Sequence, residues 1–216
     1  MKKDNSKKII LDLCGGTGAW SKPYKDAGYD VRNITLPEYD VRTYKPPKNV
    51  YGILAASPCT MFSIARNDKT AKEPRDFREG METITACLNI IWECRYQTFR
   101  KQEGGLKFWA LENPKGYLID FIGKPCFEFN PYDFGDPYTK KTCLWGNFNF
   151  PKKKPVKPEK HGNSEKTFVK EVEHFKHMKN YQIPKDYQKK TGLTWRKIAR
   201  SITPEGFAKA FFKSNK

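Results

Sequence analysis

Two side chains that could carry out chemistry each follow a short apolar run of the sequence. Residues 53–56 lead through Ser57-Pro58 to Cys59, and residues 106–111 lead to Glu112. A thiolate can form a covalent intermediate, and a carboxyl group can give or take a proton. If both runs are strands of an open sheet, the two side chains meet at the edge where such sheets bind ligands. The alternative is that Cys59 only fills space in the core, as free cysteines often do.

A glycine-rich turn near the N-terminus is a third candidate site. An apolar run over residues 7–13 predicts a strand, a short helix is predicted over 20–27, and the connection reads Asp12-Leu13-Cys14-Gly15-Gly16-Thr17-Gly18. Glycines allow the backbone to approach a ligand closely, and amide groups at a helix start can bind an anionic group. The turn lacks both the GxGxxG spacing and the Lys-Ser/Thr pair of phosphate-binding loops.

Strands and helices alternate along the chain. A strand predicted over residues 29–36 is followed by Glu38 and Asp40, whose carboxylates can accept hydrogen bonds from ribose hydroxyls. A basic loop over 63–74 precedes the clearest helix, in which apolar residues recur at spacings of four and three over 77–91. The remaining elements are strands predicted over 127–130 and 142–145 and a final helix through Phe212, with Thr203 as its cap and Pro204 in its first turn. This order predicts an α/β fold.

Positive charge is concentrated at the C-terminal end of the chain. The net charge is +17, and residues 151–216 carry 18 Lys and Arg against 6 Asp and Glu. Such a concentration suits a polyanion, which would be bound in a strongly salt-dependent way. The alternative is a Lys-rich composition that only keeps the protein in solution.

The composition also bears on compartment, membrane and metal. The six cysteines show neither CxxC pairs nor the dense spacing of a secreted disulfide framework, which favours reduced thiols in the cytoplasm. No apolar run approaches the roughly 20 residues that span a bilayer, so we expect no membrane partner. His174 and His177 stand three residues apart with no third ligand nearby, so we expect no metal. We expect a monomer.

Five segments, taken in order, resemble the cytosine-5 DNA methyltransferase family. The family's Asp-Leu-Phe-x-Gly-x-Gly turn is matched by residues 12–18, its Pro-Cys-Gln-x-Phe-Ser loop by 58–63, and its Glu-Asn-Val strand end by 112–114. Residues 135–142 look like the later Gly-Val-Pro-Gln-x-Arg-x-Arg element. Residues 201–208 look like the segment that returns to the cofactor pocket. Each element alone is common, but the ordered set is specific.

The resemblance implies a mostly parallel Rossmann-like methyltransferase sheet with a small basic appendage, and it implies S-adenosylmethionine as the cofactor. We expect a catalytic domain over residues 1–145, a short basic segment resembling a target-recognition region over 146–200, and a C-terminal helix over 201–216. Cofactor contacts are implied for Asp12, Leu13, Cys14, Gly15, Gly16, Thr17, Gly18, Asp40, Pro58 and Thr203.

The activity that the resemblance implies is methylation of carbon 5 of cytosine in DNA. Cys59 would add to carbon 6 of a base flipped out of the duplex, and Glu112, fixed by Asn113, would hydrogen-bond the ring. Lys140 matches the first Arg of the later element and would contact the base or its phosphates. The basic loop, here taken over residues 63–78, would close over the base.

The chain departs from the family pattern at several positions. Thr60 stands where the family has Gln, Lys140 and Thr142 stand in place of two Arg, and no acid ends the second strand in the usual place. These departures leave the contacts to the base and to the ribose open.

Three other functions stay open. Amino-directed methyltransferases have a loop resembling Ser-Pro-Pro-aromatic at this place, from which Ser57-Pro58-Cys59 differs by one residue. RNA or a free nucleotide could replace DNA as the substrate. A non-catalytic basic protein that binds nucleic acid through a degenerate methyltransferase fold would keep the charge but would need neither Cys59 nor Glu112.

Overall fold

A six-stranded sheet forms the centre of the protein. The computed structural model describes residues 4–69, 71–100, 105–159 and 186–216. The strands are β1 (Ile9–Leu13), β2 (Asp30–Ile34), β3 (Val50–Ala55), β4 (Phe108–Pro114), β5 (Phe127–Phe129) and β6 (Thr142–Asn147), and they lie in the order β2-β1-β3-β4-β6-β5. The first four pair in parallel, whereas β6 is antiparallel to both β4 and β5. The expected α/β fold with a mostly parallel, Rossmann-like sheet is confirmed.

Helices of very different lengths surround the sheet. In chain order they are α1 (Lys22–Asp26), α2 (Phe77–Arg100), α3 (Leu118–Ile122), α4 (Tyr187–Thr191), α5 (Trp195–Ser201) and α6 (Glu205–Ser214), with a 3-10 turn at Pro131–Phe134. The long apolar stripe correctly predicted α2. The sequence did not predict α3, α4 or α5, because a helix of five to seven residues is too short to show a helical period.

The two faces of the sheet bury different kinds of side chain. Successive residues of a strand point to opposite faces. In β3, therefore, Ile53 and Ala55 pack on the side of α2, whereas Leu54 packs on the opposite side. On the first face, α2 contributes mainly aliphatic and thiol side chains, including Ile84, Cys87 and Ile91.

The opposite face is aromatic and is covered by α1 and α6. Phe207 of α6 stacks on Phe129 with ring centroids 4.1 Å apart, and Phe211 meets Trp20 edge-on at 5.4 Å. All four side chains are almost fully buried. Aromatic pairs of this kind contribute about 0.5–1.5 kcal/mol beyond the area that they bury, so α6 is an integral part of the core.

The N-terminus of α6 is held by a carboxylate from a distant part of the chain. The amide of Gly206 donates to Oδ2 of Asp136 at 2.8 Å. A Cβ atom at Gly206 would lie 2.0 Å from the carbonyl oxygen of Phe134, so only glycine fits there. The cap expected from Thr203 is therefore replaced by Asp136, and Pro204 rather than Thr203 is the residue that precedes the helix.

Strand β4 extends further than its sequence predicts. We expected it to end at Leu111, but it continues through Glu112 and Asn113 to Pro114. The reason is pairing with β6, in which Glu112 lies opposite Leu144 and Pro114 opposite Thr142. Proline is tolerated at this last position because the ladder ends there. Glu112 is thus fixed by a sheet and not by a loop.

The predicted basic segment is described only in part. Residues 160–185, which include His174 and His177, lie outside the described residues. Residues 186–200 form α4 and α5, and Ile198 and Ala199 of α5 pack against Tyr138. In the described parts of the chain, no group of three or more His, Cys, Asp or Glu is placed to hold a metal ion. No helix in those parts combines the length and apolar character needed to cross a bilayer.

Replacing Gly206 should disturb the docking of α6. We expect Gly206→Ala to lower the free energy of unfolding by about 1–3 kcal/mol, because the added methyl group overlaps the Phe134 carbonyl and must displace the helix. Urea unfolding followed by circular dichroism measures this. Lys213→Ala, at an exposed position of the same helix, is the control and should change stability by less than about 0.5 kcal/mol. Equal stability of the two variants would contradict this packing.

Candidate active site

Cys59 lies in a tight turn just beyond the carboxyl end of β3. Its carbonyl accepts hydrogen bonds from the amides of Phe62 at 3.0 Å and Ser63 at 2.8 Å. Phe62 is fully buried and anchors the turn, whereas Cys59 is half-buried and Pro58 is exposed. The thiol is therefore neither sealed in the core nor fully open to water, which is the setting expected of a reactive cysteine.

This turn is joined to the segment that follows β4. The carbonyl of Phe62 accepts from the amide of Tyr117 at 2.8 Å, and Ser63 forms an isolated antiparallel bridge with Gly116. A Cβ atom at Gly116 would lie 2.0 Å from the Phe62 carbonyl oxygen, so glycine is required for this approach. The segments after β3 and β4 thus hold each other in place.

Asn113 makes a second connection between the same two strand ends. Its side chain is fully buried, and Nδ2 donates to the carbonyl of Ser57 at 3.2 Å and to Ser57 Oγ at 3.4 Å. We expected Asn113 to fix the carboxyl group of Glu112. That expectation is wrong, because successive residues of β4 point to opposite faces and Asn113 instead positions the backbone that leads to Cys59.

Three charged groups act on the Cys59 thiol. Burial raises the pKa of Cys59, the positive charges of Lys140 and Arg200 lower it, and the carboxylate of Glu112 raises it. Cys59, Glu112 and Lys140, which the sequence singled out separately, therefore belong to one cluster. Arg200 was missed by sequence reasoning. The available signal was its position directly before the segment 201–208 that resembles the cofactor-returning element.

Glu112 is placed to act as an acid. Burial raises the pKa of its carboxyl group, and the neighbouring Lys140 opposes that shift without cancelling it. The neutral, protonated form is therefore favoured more than in water. Lys140 is oriented by its own contacts, since its Nζ donates to the carbonyl of Arg200 at 2.9 Å and its carbonyl accepts from Thr142 Oγ1 at 2.8 Å.

The basic loop after Cys59 is braced from within. Arg75 is almost buried, and it donates to the carbonyls of Met61 at 2.8 Å and Ser63 at 3.1 Å while pairing with Asp68 at 2.8 Å. Arg66 donates to the carbonyl of Glu73 and also pairs with Asp68. The guanidinium groups of Arg66 and Arg75 thus bind the loop's own carbonyls and its carboxylate. Closure of this loop over a substrate base stays a prediction.

The glycine-rich turn is built around a buried carboxyl group. Asp12 is fully buried, and its Oδ2 accepts from Ser21 Oγ at 2.5 Å. A Cβ atom at Gly15 would lie 2.3 Å from the Asp12 carboxyl carbon, so the turn closes directly over this group. Three residues of the turn, Cys14, Gly16 and Gly18, have left-handed backbone angles with φ of 55°, 55° and 73°. This backbone path is one that glycine favours.

The turn keeps acceptor oxygens for a ligand. Oδ1 of Asp12 and Oδ1 of Asn33 have no hydrogen-bond partner among the described residues, although Asn33 Nδ2 donates to the Gly16 carbonyl at 3.0 Å. A cofactor such as S-adenosylmethionine carries an ammonium group that donates hydrogen bonds, so the residues present fit its methionyl end. Tyr187 of α4 lies beside the turn, with its hydroxyl 3.3 Å from where a Cβ atom at Gly16 would lie.

The remaining predicted cofactor residues have mixed placements. The Leu13 side chain is fully buried in the core, so any contact with a ligand would have to come from its backbone. Thr17 is half-buried within the turn, and Thr203 is half-buried in the connection between α5 and α6. Asp40 accepts three side-chain hydrogen bonds from Arg42, which hold the pKa of its carboxyl group below the usual value. Its contact with a cofactor stays a prediction.

Among known proteins, the likenesses to this chain are structural, and the one described here is weak. No protein-family model and no curated protein matches this chain. One solved structure that it resembles is DNMT2 of Spodoptera frugiperda in a triple-mutant form, at 16% sequence identity and a TM-score of 0.34. The likeness covers 76% of this chain and 57% of that chain. The chain thus spans less than two thirds of the length of that relative.

The charges around Cys59 should control how fast its thiol is alkylated. Lys140→Gln removes a charge that lowers the thiol's pKa, so alkylation at pH 8 should slow by about 2- to 10-fold, whereas Glu112→Gln should accelerate it. Mass spectrometry of the Cys59 peptide after iodoacetamide treatment measures this. Lys141→Gln is the control, because Lys141 pairs with Glu128 instead. Equal rates in all four proteins would show that the cluster does not exist.

Titration of Asp12 should make stability depend on pH. Burial raises the pKa of Asp12 from 3.8 to about 6, so the folded protein holds this proton more tightly than the unfolded chain does. The resulting stabilisation is complete below about pH 4 and is lost as the pH rises through about 6. Asp12→Asn keeps an oxygen acceptor for Ser21 and removes the titration. Between pH 4 and 7.5, its stability relative to wild type should therefore rise by about 2–3 kcal/mol.

Urea unfolding of wild type and Asp12→Asn across this pH range is the measurement. Asp26→Asn is the control, because Asp26 is exposed and pairs with Lys22 across one helical turn, where such pairs are worth about a few tenths of a kcal/mol. A stability difference between Asp12→Asn and wild type that does not change with pH would mean that the buried carboxyl group is ionised throughout.

Proposed function

We propose that this protein methylates carbon 5 of cytosine in DNA with S-adenosylmethionine as the methyl donor. The observation that carries the proposal is the cluster of Cys59, Glu112 and Lys140 at the carboxyl ends of β3 and β4. The support is threefold: a half-buried thiol in a braced turn, a half-buried carboxyl group whose pKa is raised by its removal from water, and a cation acting on both.

Cytosine needs this combination because its carbon 5 is a poor nucleophile. Covalent addition of a thiolate to carbon 6 turns the ring into an enamine-like nucleophile at carbon 5. Cys59 would form that carbon–sulfur bond. Its burial disfavours the thiolate, and the charges of Lys140 and Arg200 favour it, so the thiol would ionise by passing its proton to water before the sulfur adds to the ring.

Glu112 would supply the matching proton. As the thiolate adds, negative charge develops on the ring, and a protonated carboxyl group at ring nitrogen 3 can neutralise it. The backbone of Glu112 is fixed in position because this residue pairs with Leu144 in the sheet. After carbon 5 has gained the methyl group, water would take the carbon 5 proton and the Cys59 sulfur would leave as a thiolate. Ring nitrogen 3 would then return its proton to Glu112, which restores the aromatic ring.

The glycine-rich turn would hold the cofactor. When bound, S-adenosylmethionine supplies an electrophilic methyl group. Asp12, Asn33 and the backbone at Gly16 would bind its methionyl end, and Pro58, a further implied contact, directly precedes Cys59. The amide of Ala56 donates to the Leu13 carbonyl at 2.9 Å, so the strand ends that carry the turn and the thiol are directly joined.

The charge distribution favours a nucleic acid over a free nucleotide as the substrate, and the resemblance to DNA methyltransferases favours DNA. The excess of Lys and Arg after residue 150 suits a polyanion, and a base inside a duplex must be flipped out before any side chain can reach its ring. Amino-directed methylation would need no nucleophilic sulfur, so the presence of a thiol among charged groups argues for carbon 5 chemistry.

Covalent trapping tests this proposal. Oligodeoxynucleotides containing 5-fluorocytosine cannot lose the carbon 5 substituent, so wild-type protein with S-adenosylmethionine should form a complex that survives denaturing electrophoresis. Cys59→Ala should abolish the complex. Cys126→Ala is the matched control, because Cys126 is a free, exposed cysteine away from the cluster, and it should trap like wild type.

The other outcomes of the trapping experiment are equally informative. Trapping on RNA oligonucleotides and not on DNA would show that the substrate is RNA and that the chemistry is the same. Methyl transfer that persists in Cys59→Ser would favour an exocyclic amino group as the target. If neither nucleic acid is trapped but both bind in a salt-sensitive way, the protein is a non-catalytic nucleic-acid-binding protein.

A further inference from the structure

An exposed aromatic ring lies shortly after β6, at the opposite end of the sheet from the proposed active site. The side chain of Phe150 is 59% exposed. Strand β6 runs antiparallel to β4, with Asn147 opposite Trp109, so the chain leaves β6 beside the amino end of β4. Glu112 lies toward the carboxyl end of the same strand. The chemistry proposed for Cys59 and Glu112 therefore does not use Phe150.

The Phe150 ring is the outermost of three rings in contact. Its centroid lies 5.2 Å from that of Phe127 and 5.7 Å from that of Phe148. Phe127 and Phe148 are half-buried, and Phe148 contacts the buried Phe211 of α6 at 5.3 Å. We call Phe127, Phe148 and Phe150 the aromatic platform. It extends the aromatic core of the protein to the surface.

The backbone around Phe150 is anchored on both sides. Before it, the amide of Asn149 donates to Asn215 Oδ1 at 2.8 Å, and Asn215 Nδ2 donates back to the Asn149 carbonyl at 2.9 Å. After it, the amide of Lys154 donates to the carbonyl of Asp133 at 2.8 Å. The exposed ring is thus held in place, and a ligand that contacts it has little chain to order.

A cluster of positive charge follows the aromatic platform directly. Residues 148–159 carry four Lys and one Glu. Lys153 Nζ lies 5.5 Å from the centroid of the Phe127 ring and 3.1 Å from Asp133 Oδ2. The other three lysines are exposed, and in the described parts of the chain they pair with no carboxylate: Lys152, Lys154 and Lys157. Three exposed cations are therefore available beside an exposed ring.

The combination of ring and cations fits one kind of polymer best. Every nucleobase has a face that stacks on an aromatic ring, and lysines bind the phosphates between bases. Bases in a duplex already stack on each other, so only an unpaired base can offer its face. A lipid surface also carries anions, but one protruding ring buries little apolar area in it. The observations therefore favour a single strand.

We propose that the aromatic platform and the lysines after it bind single-stranded nucleic acid. An unpaired base stacks on Phe150, and Lys152, Lys154 and Lys157 bind the neighbouring phosphates. The inference goes beyond the proposed function, since it uses neither Cys59 nor the cofactor. It gives the protein a second contact with nucleic acid, away from the carboxyl ends of β3 and β4.

The test separates stacking from charge. The full chain is titrated by fluorescence anisotropy with a strand of about 20 thymidines, with an abasic strand of the same length, and with a duplex. Phe150→Leu keeps apolar bulk and removes the ring, whereas Phe150→Tyr keeps the ring. Trp92→Leu is the control, because Trp92 is 53% exposed on α2, which covers the other face of the sheet.

We expect Phe150→Leu to weaken binding of the thymidine strand by about 5- to 50-fold, the value of one base stacked on an aromatic ring. Binding of the abasic strand and of the duplex should change by less than about 2-fold, since neither offers an unpaired base. Phe150→Tyr and Trp92→Leu should bind all three like wild type. The inference is overturned if Phe150→Leu binds the thymidine strand like wild type, or weakens on all three ligands alike.

The salt dependence tests the lysines. Each phosphate contact with a single strand adds about 0.7 to the slope of log affinity against log salt. Lys152→Gln/Lys154→Gln should therefore lower the slope by about 1.4 for the thymidine and abasic strands alike. Lys45→Gln/Lys48→Gln removes two exposed charges before β3 and should lower it by less than half as much. Equal slopes for the two double variants would contradict the phosphate contacts.

Two other partners are outcomes of the same set of variants. Sedimentation with vesicles of phosphatidylcholine and phosphatidylserine tests a membrane, and sedimentation equilibrium of the protein alone tests a second copy of the chain. If Phe150→Leu abolishes vesicle binding or self-association and leaves binding of the thymidine strand unchanged, the inference is overturned.

Failure of this inference and failure of the proposed function give different results. The thymidine strand contains no cytosine, so its binding does not depend on covalent trapping. If 5-fluorocytosine is not trapped and Phe150→Leu still weakens binding of the thymidine strand alone, the single-strand surface stands without the methylation chemistry. If trapping depends on Cys59 and Phe150→Leu changes nothing, only the chemistry stands.

Discussion

The hydrogen bond between the Phe62 carbonyl and the Tyr117 amide is the contact on which the rest of the site depends. It joins the segments that follow two neighbouring parallel strands, one carrying Cys59 and the other Glu112. Parallel pairing brings the ends of β3 and β4 to one edge, but it does not by itself fix what the chain does after each strand. The close approach at Gly116 does so, because no side chain could be accommodated there.

The electrostatics of the site follow from partial burial. A thiol and a carboxyl group removed from water both favour their neutral forms, and the pKa values of Cys59 and Glu112 are raised for this reason. Lys140 works in the opposite direction on both groups. Burial and Lys140 thus act in opposition on the protons of both groups, which is an arrangement suited to coupled proton and nucleophile chemistry.

The sequence was informative where chemistry and local pattern coincide. Short apolar runs ending in Pro58-Cys59 and in Glu112 predicted strand ends at one edge, and the sheet order agrees with that expectation. The glycine-rich turn was predicted from its residue types, and its left-handed angles at Gly16 and Gly18 match. These features are local, so they can be seen without knowledge of long-range contacts.

Other features depend on contacts between residues far apart in the sequence. No local pattern indicates that Asp136 would cap the helix that begins at Glu205, or that Asn113 would turn away from Glu112 to hold Ser57. Arg200 is likewise an ordinary basic residue of a short helix until the Lys140 contact brings it to the cluster. Sequence reasoning found the reactive groups and missed most of the groups that position them.

The internal bracing of the loop after Cys59 has a thermodynamic consequence. Arg75 ties the carbonyls of Met61 and Ser63 together and stacks on the Tyr117 ring at 5.0 Å, so much of the loop's conformational freedom is already lost in the free protein. A ligand that enters beside it has less chain to order, and less of its interaction energy is consumed by that ordering. A loop that is already ordered favours tight binding, because little of the loop has to become ordered when the ligand binds.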